Sequence, residues 1–70
     1  MEPDLLDKIS ENLSSIRKAQ RYTQREVAKL AKLNPNYYAK VERGTSMPSV
    51  KTLYKISIAL KVSITDIVGY

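Results

Sequence analysis

Thr23-Gln24-Arg25-Glu26-Val27-Ala28-Lys29-Leu30-Ala31-Lys32-Leu33-Asn34-Pro35-Asn36-Tyr37-Tyr38-Ala39-Lys40-Val41-Glu42-Arg43 is the stretch that decides the fold. It reads as two short helices joined by a tight turn. Thr23 and Glu26 form a Thr-x-x-Glu capping box, in which each side chain satisfies a backbone N–H at the helix start, so a helix begins at Gln24. Val27, Ala28 and Ala31 recur at helical spacing and give that helix a narrow apolar stripe. A second start follows at once. Asn34 is a favourable N-cap, and Pro35 stands at the first helical position, where its missing N–H costs nothing. Tyr38 and Val41 continue the apolar face, and Gly44 ends the helix by taking a left-handed conformation. Only the residues around Lys32 to Asn34 separate the two helices, so they cross steeply. The second helix carries Asn36, Lys40 and Arg43, whose side chains suit base edges or phosphates. Residues 23–43 therefore predict a helix-turn-helix shaped for a DNA major groove.

The flanks extend the helical pattern. Leu6, Ile9, Leu13 and Ile16 form one stripe of a helix from about Asp4 to Gln20. Asp4 and Asp7 lie in its first turn and Arg17, Lys18 and Arg21 at its end, which matches the helix dipole at both ends. Beyond Gly44, Thr45-Ser46-Met47-Pro48 reads as an extended loop, because Pro48 disfavours helix at Met47. Ser49 starts a fourth helix with Val50, Leu53, Ile56 and Leu60 along one face. After a brief connection at Lys61 and Val62, Ser63 and Asp66 cap a short fifth helix holding Ile64, Ile67 and Val68. The expected class is all-α, a five-helix domain over residues 1–70 with the helix-turn-helix at helices 2 and 3.

Composition sets the outer bounds. Seventy residues make one domain, near the lower limit for an unassisted core. The 43% hydrophobic content still supports globular folding. Without Cys or His, disulfides and the usual zinc sites are excluded, and no cofactor or metal is expected. Nothing resembles a signal peptide, and no apolar run approaches the roughly 18 residues of a membrane span, so no membrane partner and a cytoplasmic location are expected. The net charge of +5 is unevenly spread. In residues 1–16, Glu2, Asp4, Asp7 and Glu11 face Lys8, a balance of −3. Residues 17–43 hold eight Lys or Arg against Glu26 and Glu42, or +6, and residues 44–70 carry +2. Positive charge thus gathers on the helix-turn-helix and the helix end before it, the footprint expected for phosphate contact.

Ile16-Arg17, Thr23-Gln24, Val27-Ala28, Glu42-Arg43-Gly44, Pro48-Ser49, Thr52-Leu53, Lys55-Ile56 and Ala59-Leu60 together resemble the Cro/lambda-repressor-like helix-turn-helix family of small phage repressors and restriction-modification controllers. The resemblance runs from about Leu13 to Val68. It implies that the second helix of the motif enters the major groove while the first braces it across the backbone. It also implies a two-fold dimer with half-sites about 34–36 Å apart.

Residue roles follow from that resemblance. Asn36 matches a base-reading position and can pair with adenine N6 and N7; Lys40, four residues on, can reach guanine O6 or N7. Pro35 and Ala39 stand beside them, within reach of a thymine methyl. Gln24 matches the family's phosphate-binding glutamine, and Asn34, Tyr37, Arg43, Thr45 and Ser46 are the other expected phosphate contacts. Arg17 and Glu42 match an internal ion pair and are not counted against DNA. Lys32 and Arg21 stand where Gly, or Gly or Asn, is common in relatives, and a left-handed backbone there is strained by roughly 1 kcal/mol. Ile64, Ile67, Val68 and Tyr70 give the last helix, around 63–68, more apolar surface than a small core requires, which suggests a dimer interface combined with a lid over helices 1 and 4, Ile64 and Ile67 turning inward and Val68 and Tyr70 outward.

The expected function is sequence-specific binding of a duplex DNA operator by a homodimeric transcriptional repressor. No enzyme is expected, since catalytic His and Cys are missing and the few carboxylates serve caps, surface and ion pair. In some relatives acidic residues on the outer face of helix 2 touch RNA polymerase; Arg25 and Lys29 occupy that face here. The alternative class is a protein-interaction module, such as an antitoxin that binds a toxin partner.

Overall fold

Each helix begins on a side chain that caps it. Asp4 accepts from Leu6 N at 2.9 Å and starts α1 (Leu5–Ala19). Thr23 and Glu26 close their reciprocal box, at 3.0 and 2.8 Å, at the head of α2 (Gln24–Ala31). Asn34 caps α3 (Pro35–Arg43), Ser49 caps α4 (Val50–Leu60), and the Ser63 and Asp66 box starts α5 (Ile64–Val68). These five helices and no strand make up the secondary structure of the described residues in this computed structural model, residues 4–70. Met1, Glu2 and Pro3 lie outside the described residues, and with them the Glu2 charge and the first three positions of the 1–70 domain.

The helices also end alike. After α1, α2, α3 and α4 one residue turns left-handed: Arg21 (φ 62), Lys32 (φ 57), Gly44 (φ 84) and Lys61 (φ 57). The next N–H then reaches back five residues, Tyr22 to Arg17, Leu33 to Ala28, Thr45 to Lys40 and Val62 to Ser57, at 2.8 to 3.2 Å. This is the Schellman closure, normally built on glycine. Here glycine serves only one of the four stops. Tyr22, Leu33 and Val62, which follow the strained residues, pack against the core.

α1 packs on α3 and α5, α2 on α3 and α4, and α4 on α5. Ile9, Leu13, Val27, Tyr38, Val41, Ile56, Leu60 and Ile67 are fully buried between them. Two side chains strap helix ends together: Asn12 donates to the Ile67 carbonyl at 2.9 Å, and Gln20 to the Leu60 carbonyl at 2.7 Å.

Two expectations need correction. Val50 is 76% exposed, not on the core face of α4; the buried stripe is Leu53, Ile56 and Leu60. Ile67 is fully buried within its own chain and has no surface to offer a dimer partner. Ile64 and Val68 are half-buried against the same core. Only Tyr70 of that group is exposed, and its ring lies under the Lys8 ammonium, 4.4 Å from Nζ.

Candidate nucleic-acid interface

α3 has two faces of opposite character. Tyr38, Val41 and Glu42 turn inward and are buried. Asn36, Lys40 and Arg43, at i, i+4 and i+7, are exposed, as is Pro35, with Ala39 half-buried beside them. The helical period therefore places the three polar residues on one outer stripe.

Both ends of the inner face are locked. At the C-terminal end the Arg17 guanidinium grips the Glu42 carboxylate with Nε at 3.0 and 2.9 Å and Nη2 at 2.7 Å. Its remaining Nη1 donates to the Tyr22 carbonyl at 2.8 Å, tying in the entry to α2. Ser10 Oγ donates to the Glu42 backbone carbonyl. Burial alone would raise the Glu42 carboxyl. The Arg17 hydrogen bonds, helped by the nearby Tyr38 and Gln24 side chains, outweigh it and hold Glu42 below the ordinary carboxylate range. The hydrogen bond to Glu42 likewise raises Arg17. Burial, then Glu42, pushes the Tyr38 hydroxyl well above its usual value, and it closes no hydrogen bond among the described residues. At the N-terminal end, Tyr37 Oη meets Thr52 Oγ1 at 3.3 Å, and Ser49 Oγ donates to the same Thr52 oxygen at 3.1 Å. α1 and α4 thus fix the tilt of α3 before any ligand arrives.

The expected phosphate contacts fare unequally. Arg43 is exposed, and Ser46 is half-buried in the loop after α3. The Thr45 N–H and hydroxyl both point at the Lys40 carbonyl, at 2.9 and 3.2 Å. Its backbone N–H is spent in closing α3, and its exposed hydroxyl would leave the Lys40 carbonyl to reach a phosphate. At the head of α3, Pro35 lacks an N–H, and the N–H groups of Asn36 and Tyr37 are spent on Asn34 Oδ1 at 2.8 and 3.2 Å. Asn34 therefore has its carboxamide N–H to offer rather than a bare helix terminus. Gln24 is half-buried, near Glu42, and the Tyr37 hydroxyl faces Thr52.

Of the eight basic residues between 17 and 43, Arg17 is sequestered and the other seven are exposed: Lys18, Arg21, Arg25, Lys29, Lys32, Lys40 and Arg43. The supports at Ser10 and Thr52 escaped the sequence reading because both contacts join residues far apart in the chain.

The family model described as helix-turn-helix matches residues 13–67. The transcriptional repressor RstR of the cryptic phage CTXphi in Vibrio cholerae is 37% identical over 62 residues, covering 89% of this chain and 55% of that protein. The immunity repressor of Bacillus phage phi105 is 34% identical over 61 residues, covering 87% and 42%. The chain thus spans about half the length of these two relatives. Among solved structures, the restriction-modification controller protein C.Esp1396I, a tetramer in complex with its natural 35-base-pair operator, superposes with a TM-score of 0.82 at 32% identity. That match covers 89% of this chain and 82% of the other.

Proposed function

Because the chain belongs to this helix-turn-helix family, we propose that it is a transcriptional regulator, a repressor, which binds a two-fold operator in duplex DNA as a dimer and acts in the cytoplasm by occlusion rather than catalysis. The observation that carries this reading is the outer stripe of α3, Asn36, Lys40 and Arg43, on a helix held at both ends from behind. Such a helix enters the major groove without having to be ordered first, which spares the entropy of fixing it. Asn36 pairs with adenine and Lys40 with guanine, while Pro35 and Ala39 lie against thymine methyls. Arg43, Ser46, Gln24, the Asn34 carboxamide and the Tyr37 hydroxyl hold the backbone on either side, with no sequence preference of their own. The remaining exposed cations supply attraction that weakens with salt.

Selection of bound fragments from a random duplex pool at near-physiological salt tests the reading. An enriched inverted repeat, with half-site centres about 10–10.5 base pairs apart, is expected. Asn36→Ala or Lys40→Ala should relax preference at one base pair per half-site and cost about 1–3 kcal/mol there. Folded protein that enriches nothing would overturn the proposal.

A further inference from the structure

The Tyr37 hydroxyl is claimed from two sides. It lies 3.3 Å from Thr52 Oγ1, yet the operator reading above asks it to hold a phosphate. The order of protons at the head of α4 reconciles the two. Ser49 Oγ accepts the Thr52 N–H at 3.1 Å as the cap of α4, and gives its own proton to Thr52 Oγ1, also at 3.1 Å. Thr52 is buried, so its hydroxyl proton must find an acceptor within the protein. Ser49 Oγ already points a proton at it. Among the described residues, the other oxygen that the Thr52 hydroxyl meets is Tyr37 Oη.

We infer that Thr52 is a positioning residue for DNA binding: the chain from Ser49 through Thr52 to Tyr37 carries its protons in one direction, so Tyr37 Oη accepts from Thr52 and keeps its phenolic proton for a phosphate oxygen of the duplex. This rests on the operator reading and deepens it at one backbone contact. A phenol has a single proton. Were it spent on Thr52, Tyr37 would turn only lone pairs toward an anion, and the contact would repel. In the order inferred here it is a donor, and each bond in the chain polarises the next. Thr52 itself is too deeply buried to touch DNA, whereas Tyr37 is half-buried, packed on the core with part of its surface still in water.

The surroundings agree with an anion at this place. The first N–H groups of α4 have no intrahelical acceptor, its dipole is positive at this end, and Lys51 is exposed beside Thr52. The contact also leaves a signature of its own. Tyr37 is uncharged, so it displaces no counterion, and its loss should lower affinity without changing the salt slope. A Thr52 that merely propped α3 would behave differently. Its replacement would shift Asn36, Lys40 and Arg43 together, and both base preference and salt slope would change.

Titrations of the selected operator and of a scrambled duplex over a range of salt test the relay, with far-UV circular dichroism to verify native folding. Tyr37→Phe should weaken both duplexes about tenfold, the share of one hydrogen bond to a charged group. Thr52→Val keeps the branched shape without the hydroxyl and should weaken both by about as much, with salt slope and base preference as in wild type. Thr52→Ala, a second variant lacking the same hydroxyl, should match it. In the Tyr37→Phe background neither change should weaken binding further, the mark of two residues acting through one contact. Thr52→Ser, which restores the hydroxyl, should recover the affinity. Equal losses with and without the Tyr37 hydroxyl, a changed base preference or salt slope, or no loss at all would overturn the relay and leave operator binding standing. A wild type that binds neither duplex would overturn the operator reading, and the relay with it.

Discussion

The Arg17 guanidinium and the Glu42 carboxylate, 25 residues apart in the chain, meet at 2.7 Å with side chains 13 and 4% exposed. At that burial neither charge has water to fall back on, so removing one partner strands the other. Arg17→Ala or Glu42→Ala should cost about 3–5 kcal/mol, a large part of the roughly 4–10 kcal/mol that a domain of this length holds in total. The double replacement Arg17→Met with Glu42→Leu strands no charge and should recover most of the loss in urea unfolding. A double variant as weak as either single one would show that the pair contributes more than mutual neutralisation.

The same pair fixes the sign of one acid effect. Glu42 is held below the ordinary 4.5 of its carboxyl, so its contribution is fully present above that value and is lost as pH falls through the lowered folded-state value. Glu42→Gln should therefore be clearly less stable than wild type at neutral pH, and the gap should shrink well below pH 4.5. Urea midpoints of both proteins across that range check it. A gap that stays constant would mean the carboxyl titrates normally in the folded chain.

Lys61 sits left-handed at φ 57 and is exposed at the end of α4, where no glycine relieves the backbone. The strain of a non-glycine residue there is about 1–2 kcal/mol, partly offset by the roughly 0.5–1 kcal/mol that glycine loses to chain entropy. Lys61→Gly should thus stabilise by about 0.5–1 kcal/mol, a rise in Tm of several degrees for a domain of this size. Thermal melts decide it, and a lower Tm would show that the lysine stem is needed where it lies.

Asn12 is the strap between α1 and the last helix, through its 2.9 Å bond to the Ile67 carbonyl. Asn12→Ala leaves that carbonyl without its donor, at a cost of about 1 kcal/mol. α5, only five residues long, should loosen first. Amide exchange should quicken over 64–69 while α2 and α3 keep their protection. Uniform quickening across the chain would instead make α5 part of one cooperative unit with the motif.

Helix starts were legible because capping is local chemistry: Thr23 with Glu26, Asn34 with Pro35, and Ser63 with Asp66 each need only a few residues to be recognised. The stop at Gly44 was legible for the same reason. The left-handed Lys61 was not, because the conformation is imposed by the need to bring Val62 back against the core, which no local residue announces. Val50 was misplaced because its spacing to Leu53 and its spacing to Tyr54 are both helical, and only packing decides which face turns inward. The outer stripe of α3 followed from spacing and residue type together. The turn of Thr45 toward the Lys40 carbonyl did not, since that carbonyl's position depends on how α3 ends.

In the proposed reading Arg43 and Asn36, both exposed on α3 at its last and first turns, divide holding from reading, the arginine taking the backbone and the carboxamide the base edges. Arg43→Ala should lower affinity for every duplex alike and reduce the slope of log K against log salt by about 0.9, the share of one phosphate contact. Asn36→Ala should leave that slope unchanged and flatten the preference at one position of each half-site. Titrations of the selected operator and of a scrambled duplex over a range of salt distinguish them. If Arg43→Ala alters base preference, or Asn36→Ala alters the salt slope, the two roles are exchanged and α3 lies in the groove in a different orientation.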